Sequence, residues 1–282
     1  MILIQFLNAL QFSMTLFLLA VGLTIIFGLM KIVNLAHGSL YMVGAYIGLS
    51  IFNYTESFWP ALIFAPILTA LIGALLYTIL FRHIQNADPM KQVLLTFGLI
   101  YIGLDSVRLL WGTMSHSISA PGILSNPVLL MDEPYPAYRL FVITVGLLVL
   151  FSLYFILEKT KIGAKVRASV DDPETAQLLQ INTDKILFYT FALGCGLAGL
   201  AGITVAPILG VEPGMDMEVL VLTLIVVVVG GPGSLKGALI GSLLIGFVDS
   251  FGKVYIPQLA QIIIYAVMAL TLLFKPDGIY KR

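Results

Sequence analysis

Long apolar runs separated by short polar connections are the feature that most limits how this chain can fold. A run of about 20 mostly apolar residues is long enough to cross a membrane as a helix. Runs of this kind, some of them shorter, occupy residues 6–30, 35–52, 58–80, 93–111, 140–157, 186–206, 219–229, 238–251 and 259–274. Only 11% of the residues are charged, whereas soluble domains carry about 25%. The sequence therefore predicts an all-α polytopic membrane protein with about eight or nine membrane segments, including short or broken helices.

Basic residues predict the orientation of these segments. Connections 81–92 and 158–185 and the C-terminal tail carry Lys and Arg, whereas connections 112–138 and 207–218 carry neither. Because positively charged loops stay in the cytoplasm, we expect the N-terminus outside and the C-terminus in the cytoplasm. Residues 1–282 then form a single transmembrane domain, with a cytoplasmic loop at 158–185 and an external loop at 112–138.

A polar break separates the first two apolar runs. Lipid cannot satisfy the backbone groups that such a break exposes, so they must lie in protein or in a wet cavity. One interpretation is a short cytoplasmic turn followed by a closely packed helix. The other, which we favour, is a broken helix that lines a transport path. The polar residues at the break are Lys31, Asn34, His37 and Ser39, and glycines follow at positions 38, 44 and 48.

A weak internal repeat involves the same region. Gly-Ser-Leu at 38–40 precedes glycines 44 and 48, and Gly-Ser-Leu at 233–235 precedes glycines 237 and 241. Glycines four residues apart allow helices to cross closely. Either an internal duplication or chance in a glycine-rich chain explains the pattern. The residues predicted to serve the translocation path or helix packing are Asn34, His37, Gly38, Gly44, Gly48, Gly233, Gly237 and Gly241.

The 158–185 loop contains the signature of a short helix. Asp172 is a capping residue, Pro173 suits the first helical position, and Glu174 places a negative charge at the positive end of the helix dipole. Ala176, Leu178 and Leu179 add a small apolar face to a helix that is marginal on its own in water. The helix either folds onto the inner surface of its own chain or, as we favour, docks into a groove of a soluble partner.

Four charged residues fall within membrane segments. Asp105 and Arg108 are three residues apart, and Asp249 and Lys253 are four apart, so each pair lies on one helix face. Pairing lowers the cost of burying a charge in a membrane. These residues are either self-paired at the interface or form an outer mouth, where a delivering protein docks or a polar funnel opens.

Enzyme chemistry is not indicated. The three histidines lack metal-ligand spacing, and Cys195 stands alone in an apolar run. No phosphate-binding loop of the G-x-x-x-x-G-K-[ST] type occurs, so we expect no nucleotide or other cofactor on this chain. Residues 194–199 match G-x-G-x-x-G but lie inside an apolar run, where helix packing is the better interpretation. A formal net charge of zero predicts no nucleic-acid partner.

Three long stretches carry a resemblance to a known family. They are GLTIIFGLMKIVNLAHGSLYMVGAYIG (22–48), KVRASVDDPETAQLLQINTDKILFYTFALGCGLAGLAGI (165–203) and VVGGPGSLKGALIGSLLIG (228–246). In this order, and with KPDGIYKR at the end, they resemble the permease subunits of ATP-binding cassette importers for branched-chain amino acids. Permeases for urea or short amides are close relatives of that family.

The resemblance implies a multi-pass permease of the bacterial cytoplasmic membrane that works in a complex. Its expected partners are a second, diverged permease, two cytoplasmic ATPases that bind the ATP, a periplasmic solute-binding protein and the lipid bilayer. Coupling to the ATPases is carried over to Ala168, Asp172, Glu174, Ala176, Leu178, Leu179, Ile181 and Asn182. Gln180 departs from the family pattern, which commonly has glycine there, and Pro173 is also less usual. A self-sufficient secondary transporter and a membrane enzyme are the competing hypotheses.

Overall fold

The computed structural model describes residues 2–30, 34–85, 87–130 and 133–280. The first half contains α1 (Ile2–Met30), α2 (His37–Thr55), α3 (Phe58–Leu76), a π-helical turn at Tyr77–Phe81, α4 (Arg82–Ile84), α5 (Pro89–Trp111) and α6 (Gly122–Ser125). An antiparallel hairpin of β1 (Pro127–Leu130) and β2 (Glu133–Pro136) follows, with Pro127 opposite Pro136. The second half contains α7 (Ala137–Lys159), α8 (Lys161–Asp171), α9 (Pro173–Leu178), α10 (Thr183–Leu209), α11 (Met215–Gly230), α12 (Leu235–Tyr255) and α13 (Ala260–Phe274).

Six helical segments of the described chain are long and apolar enough to span a membrane. They are Ile2–Gly28, Phe58–Ile84, Pro89–Trp111, Ala137–Lys159, Thr183–Leu209 and Leu235–Tyr255, and α13 is a shorter apolar helix. These segments confirm the predicted all-α polytopic membrane protein. The predicted runs 35–52 and 219–229 coincide with α2 and α11. The number of eight or nine segments, the orientation of the termini, the internal duplication and the single-domain boundaries stay predictions.

Capping side chains mark where several helices begin. Asp88 accepts a hydrogen bond from the Met90 N–H at 2.8 Å, one residue before Pro89 starts α5. Ser234 caps α12 by accepting from the Gly237 N–H at 3.0 Å. Such side chains satisfy N–H groups that have no partner within the helix. The sequence therefore sets these helix starts locally.

Helix α10 forms the centre of the bundle, where it packs against α1, α2 and α3. Small residues on α10 allow these close approaches. Gly194 faces α1, Gly196 faces Pro66 and Ala70 of α3, and Gly199 faces Thr69 of α3. The glycines of the G-x-G-x-x-G match thus lie inside one helix and contact neighbouring helices.

Contacts between connections group the helix ends into two faces. On one face, the backbones of His116 and Val211 exchange two hydrogen bonds, both 2.8 Å long, which join connections 112–136 and 210–214. On the other face, Arg82 and Asp184 form an ion pair at 3.5 Å, which joins the 81–92 connection to the start of α10. Each contact joins connections that the predicted topology assigns to the same side, and the orientation itself stays a prediction.

Candidate functional site

Helix α2 begins about halfway along α1. His37, its first residue, is 2% exposed, and its Nε2 atom lies 3.2 Å from the carbonyl oxygen of Leu19. Leu19 lies 11 residues before Met30, the last residue of α1. This separation corresponds to about 16 Å along the helix axis. Gly22, on the next turn of α1, packs against Gly194 near the middle of α10. A helix that starts at this depth must satisfy its first N–H groups within the protein or in a wet cavity.

The first turn of α11 lies beside the first turn of α2. The Ser39 hydroxyl donates a hydrogen bond to Oδ2 of Asp216 at 2.9 Å. Gly38 lies so close to the Asp216 backbone that an added Cβ would overlap the Asp216 carbonyl oxygen. The Gly214 nitrogen lies 3.4 Å from the sulfur of Met42. The two helices therefore overlap antiparallel by about one turn, and we call this place the α2–α11 junction.

Asp216 is a buried carboxylate between two helix N-termini. It is 2% exposed, lies in the first turn of α11 and accepts from Ser39 in the first turn of α2. The positive dipole ends of both helices stabilise a negative charge at this position. Its Oδ1 atom has no hydrogen-bond partner within the described structure. Because an unsatisfied buried oxygen is costly, the junction retains capacity for one more donor.

Two more of the predicted path residues, Asn34 and His37, lie where α2 begins, beside Gly38. Asn34 is buried, and its Oδ1 accepts a hydrogen bond from the Ala36 N–H at 3.1 Å, which forms a turn before α2. Asn34 Nδ2 and His37 Nδ1 have no partner within the described residues. Lys31, which the sequence grouped with them, lies outside the described residues. The junction thus combines several buried polar groups with unused hydrogen-bonding capacity at mid-depth.

The other predicted glycines lie in helix contacts away from the junction. Gly44 contacts the Cα of Gly199, and Gly48 contacts the side chain of Ile203. Gly233 contacts the Cα of Gly28. Gly237 contacts the Gly230 carbonyl group, and Gly241 contacts the Val226 carbonyl group. Gly44 and Gly48 thus face α10, whereas Gly237 and Gly241 face α11. The structure brings Asn34, His37 and Gly38 together and separates them from the glycines at 233–241. The transport roles of the set stay predictions.

A cavity of about 320 Å³ adjoins the junction between α2, α3 and α5. Its walls are predominantly aliphatic, and Ser39 and Ser106 contribute its hydroxyl groups. Gly103 of α5 is in contact range of the Ser39 side chain. The lining residues are Ala36, Ser39, Leu40, Val43, Ile47, Ile72, Leu76, Leu99, Ile102, Gly103, Ser106, Val107, Leu110 and Trp111.

The predicted cytoplasmic loop folds into α8 and α9. Asp172 begins α9 and accepts hydrogen bonds from the backbone N–H of Thr175 at 3.1 Å and from its hydroxyl at 2.5 Å. These hydrogen bonds from Thr175 hold the pKa of the Asp172 carboxyl below its usual value. The cap therefore stays ionised at neutral pH and is lost only as the pH falls through this lowered pKa.

A Schellman motif ends α9. The Ile181 N–H donates to the Ala176 carbonyl at 3.0 Å, and the Gln180 N–H donates to the Gln177 carbonyl at 2.9 Å. This motif requires a left-handed residue, which is usually glycine. Gln180 takes that conformation with φ of 60°, at the position where the resembling family commonly has glycine. Asn182 then caps α10 by accepting from the Lys185 N–H at 3.0 Å.

Helix α9 exposes two leucines. Leu178 is 83% exposed and Leu179 is 69% exposed, whereas Ala176 is buried. Glu174 lies in the exposed first turn of α9, and the Ala168 carbonyl accepts the Asp172 N–H at 3.1 Å. The predicted coupling residues therefore extend from the end of α8 through α9 to the cap of α10, and within this set Leu178 and Leu179 are the exposed apolar side chains. Their coupling role stays a prediction.

Both predicted ion pairs form, at different depths of burial. Asp105 and Arg108 are 3.6 Å apart on α5, with side chains 67% and 47% exposed. Asp249 and Lys253 are 2.7 Å apart on α12, where the carboxylate is buried. Gly103 of α5 contacts Ser39 at the junction, and Asp105 follows Gly103 by two residues. The Asp105–Arg108 pair therefore lies close to the level of the junction along α5. Their role in an outer mouth stays a prediction.

Asp216 is the junction residue that the sequence did not single out. It falls in connection 207–218, which lacks Lys and Arg and was predicted to be external. The signal available was an acidic residue at the start of an apolar run, a position that helix N-termini favour. This signal does not indicate that the N-terminus of α11 is buried beside α2.

Comparisons with known proteins place the chain in a family. A family model described as "Branched-chain amino acid transport system / permease component" matches residues 5–272. The permease BraD of Pseudomonas aeruginosa, from a high-affinity branched-chain amino acid transport system, is 27% identical over 99% of this chain and 95% of its own. The corresponding LivH of Escherichia coli is 26% identical over 99% and 95%. A probable branched-chain amino acid permease LivH of Methanocaldococcus jannaschii is 28% identical over 96% and 90%.

No solved structure matches the chain. The relatives are transport permeases and not enzymes, and the apolar helices agree with a multi-pass protein of the cytoplasmic membrane. The chain belongs to the family of branched-chain amino acid transport system permease components.

Proposed function

We propose that this chain is a transmembrane subunit of an ATP-binding cassette importer that translocates leucine, isoleucine and valine. The observation that carries this proposal is the similarity to branched-chain amino acid permeases along nearly the whole chain. A diverged sister permease completes the membrane path, and a periplasmic binding protein delivers the amino acid. Two cytoplasmic ATPases bind the ATP and supply the energy.

Helix α9 supports the coupling part of this proposal. Exposed leucines cost free energy in water, and burying one against a partner contributes about 1.5–3 kcal/mol. Leu178 and Leu179 extend from a helix whose ends are fixed by the Asp172 cap and the Schellman turn. A rigid apolar projection of this kind suits a groove on an ATPase.

The α2–α11 junction supports the path. Buried polar groups at mid-depth of a membrane protein mark transport routes, and interrupted helices provide them. Substitution of Asn34 or His37 by Ala should lower uptake while the complex still assembles. Unaltered uptake in both variants would remove these residues from the path.

The exposed pair on α5 and the pair on α12 are proposed to lie at the outer mouth. Asp105→Asn and Asp249→Asn variants should then be produced in normal amounts and transport more slowly. If both retain full uptake, the charges serve only to neutralise each other.

Reconstitution tests the proposal as a whole. The chain and its co-encoded permease, ATPases and binding protein are placed in proteoliposomes, and uptake of labelled leucine is measured with and without ATP. We expect ATP-dependent uptake that unlabelled isoleucine and valine inhibit and that urea and acetamide do not. Uptake of urea or an amide would assign the other substrate class, and uptake by this chain without ATPases would identify a secondary transporter.

A further inference from the structure

The cavity between α2, α3 and α5 has an aliphatic lining that adjoins a buried negative charge. Val43, Ile72 and Leu99 represent its three walls. Ser39 lines the cavity as well, and its hydroxyl is hydrogen-bonded to Asp216 at 2.9 Å. The carboxylate therefore lies directly behind the serine. Asp216 is not itself one of the lining residues, so its carboxylate adjoins the cavity through the Ser39 hydroxyl.

Asp216 has unused hydrogen-bonding capacity beside this cavity. Its Oδ1 atom is buried and has no hydrogen-bond partner among the described residues. None of the ion pairs seen in the described chain involves Asp216. The first turns of α2 and α11 flank the carboxylate but provide no donor to that oxygen within the described structure. A cationic donor would satisfy it, and a charge-assisted hydrogen bond in a site of low dielectric is strong.

We infer that this cavity is a binding subsite for an aliphatic amino acid, with the side chain against the apolar walls and the α-ammonium group on Asp216 and Ser39. The ammonium would donate to the Asp216 carboxylate and to the Ser39 hydroxyl oxygen. This inference rests on the proposed function and extends it to named residues. Urea and simple amides lack both the positive charge and the branched aliphatic group, so the subsite favours amino acids over them.

A lipid acyl chain is the competing occupant of an apolar groove in a membrane protein. It would contact the same walls but would leave the carboxylate oxygen without a donor. The charge behind Ser39 is therefore the feature that distinguishes an amino acid from a lipid.

Transport by the assembled importer gives the first test. We expect Asp216→Asn to lower the initial rate of labelled leucine uptake at least about tenfold, because the ammonium loses a charged acceptor. Glu218→Gln is the matched control, since Glu218 is exposed in the first turn of the same helix, and its uptake should equal that of the wild type. Wild-type rates in Asp216→Asn would overturn the inference. Failure of the wild-type complex to take up leucine would instead overturn the proposed function.

Cysteine protection gives a second test, which can still be carried out if the Asp216→Asn variant does not fold. The native Cys195 is buried, so the unsubstituted chain provides the blank for a Ser106→Cys variant, at an exposed residue that lines the same cavity, treated with a cationic methanethiosulfonate reagent. In the assembled complex, leucine delivered by the binding protein should slow modification at position 106. The 2-oxo analogue of leucine, which lacks the ammonium, should not. Modification that is insensitive to leucine would overturn the inference and favour a lipid-filled groove.

Discussion

Ser39 in the first turn of α2 donates a hydrogen bond to Asp216 in the first turn of α11, across 177 residues of sequence. The bond joins two helices that begin near mid-depth, one at His37 and the other at Met215. Neither α2 nor α11 alone extends along the full length of α1. Together, with their first turns overlapping, the two helices cross the bundle. A polar contact at this place links two separately connected parts of the chain, so movement of either helix would change the junction.

Glycine packing between α2 and α10 gives the first prediction. A Cβ at Gly44 would overlap the Cα of Gly199, so Gly44→Ala should force the helices apart and cost about 1–3 kcal/mol. We expect a lower thermal unfolding midpoint for the chain in detergent. Gly98→Ala is the control, because nothing lies within 4 Å of a Cβ at Gly98. Equal midpoints for the two variants would contradict the close helix crossing.

The left-handed residue at the end of α9 gives the second prediction. A non-glycine residue in this conformation costs about 1–2 kcal/mol, and Gln180 has φ of 60°. Gln180→Gly should therefore order the Schellman turn further and slow hydrogen–deuterium exchange of the Ile181 amide. Gln177→Gly, inside the same helix, should have the opposite effect because glycine weakens a helix interior. Faster exchange in Gln180→Gly would contradict the turn.

Topology gives the third prediction. The positive-inside rule places the α8–α9 loop in the cytoplasm and the 112–136 connection outside. A single cysteine at Ser117 should react with a membrane-impermeant maleimide in intact cells, whereas one at exposed Lys161 should react only after permeabilisation. The reverse pattern would invert the whole orientation, including the side to which α9 projects.

Local chemistry made much of the structure predictable. Asp172 followed by Pro173 predicts a helix start, and the structure places an Asp172 cap and a helix over Pro173–Leu178 there. The spacings of Asp105 with Arg108 and of Asp249 with Lys253 predict ion pairs that the structure forms. These features depend on residues within one helical turn, where sequence spacing fixes geometry.

Depth and long-range pairing were not predictable in the same way. Apolar runs show that a helix forms but not at what height it begins. The position of His37 beside Leu19 therefore required the packed structure. The lack of basic residues in connection 207–218 predicts an external position for Asp216 but says nothing about its burial. Its burial depends on α2, which is far away in sequence.

The most direct test of the account is ATP-driven leucine uptake by the assembled importer carrying Leu178→Ser and Leu179→Ser together. We expect the complex to assemble and ATP-dependent uptake to fall at least about tenfold, because each leucine contributes about 1.5–3 kcal/mol when buried against a partner. Ile162→Ser, at another exposed apolar residue of the same loop, should retain wild-type uptake. Wild-type uptake in the double variant, or uptake that needs no ATP, would contradict the account.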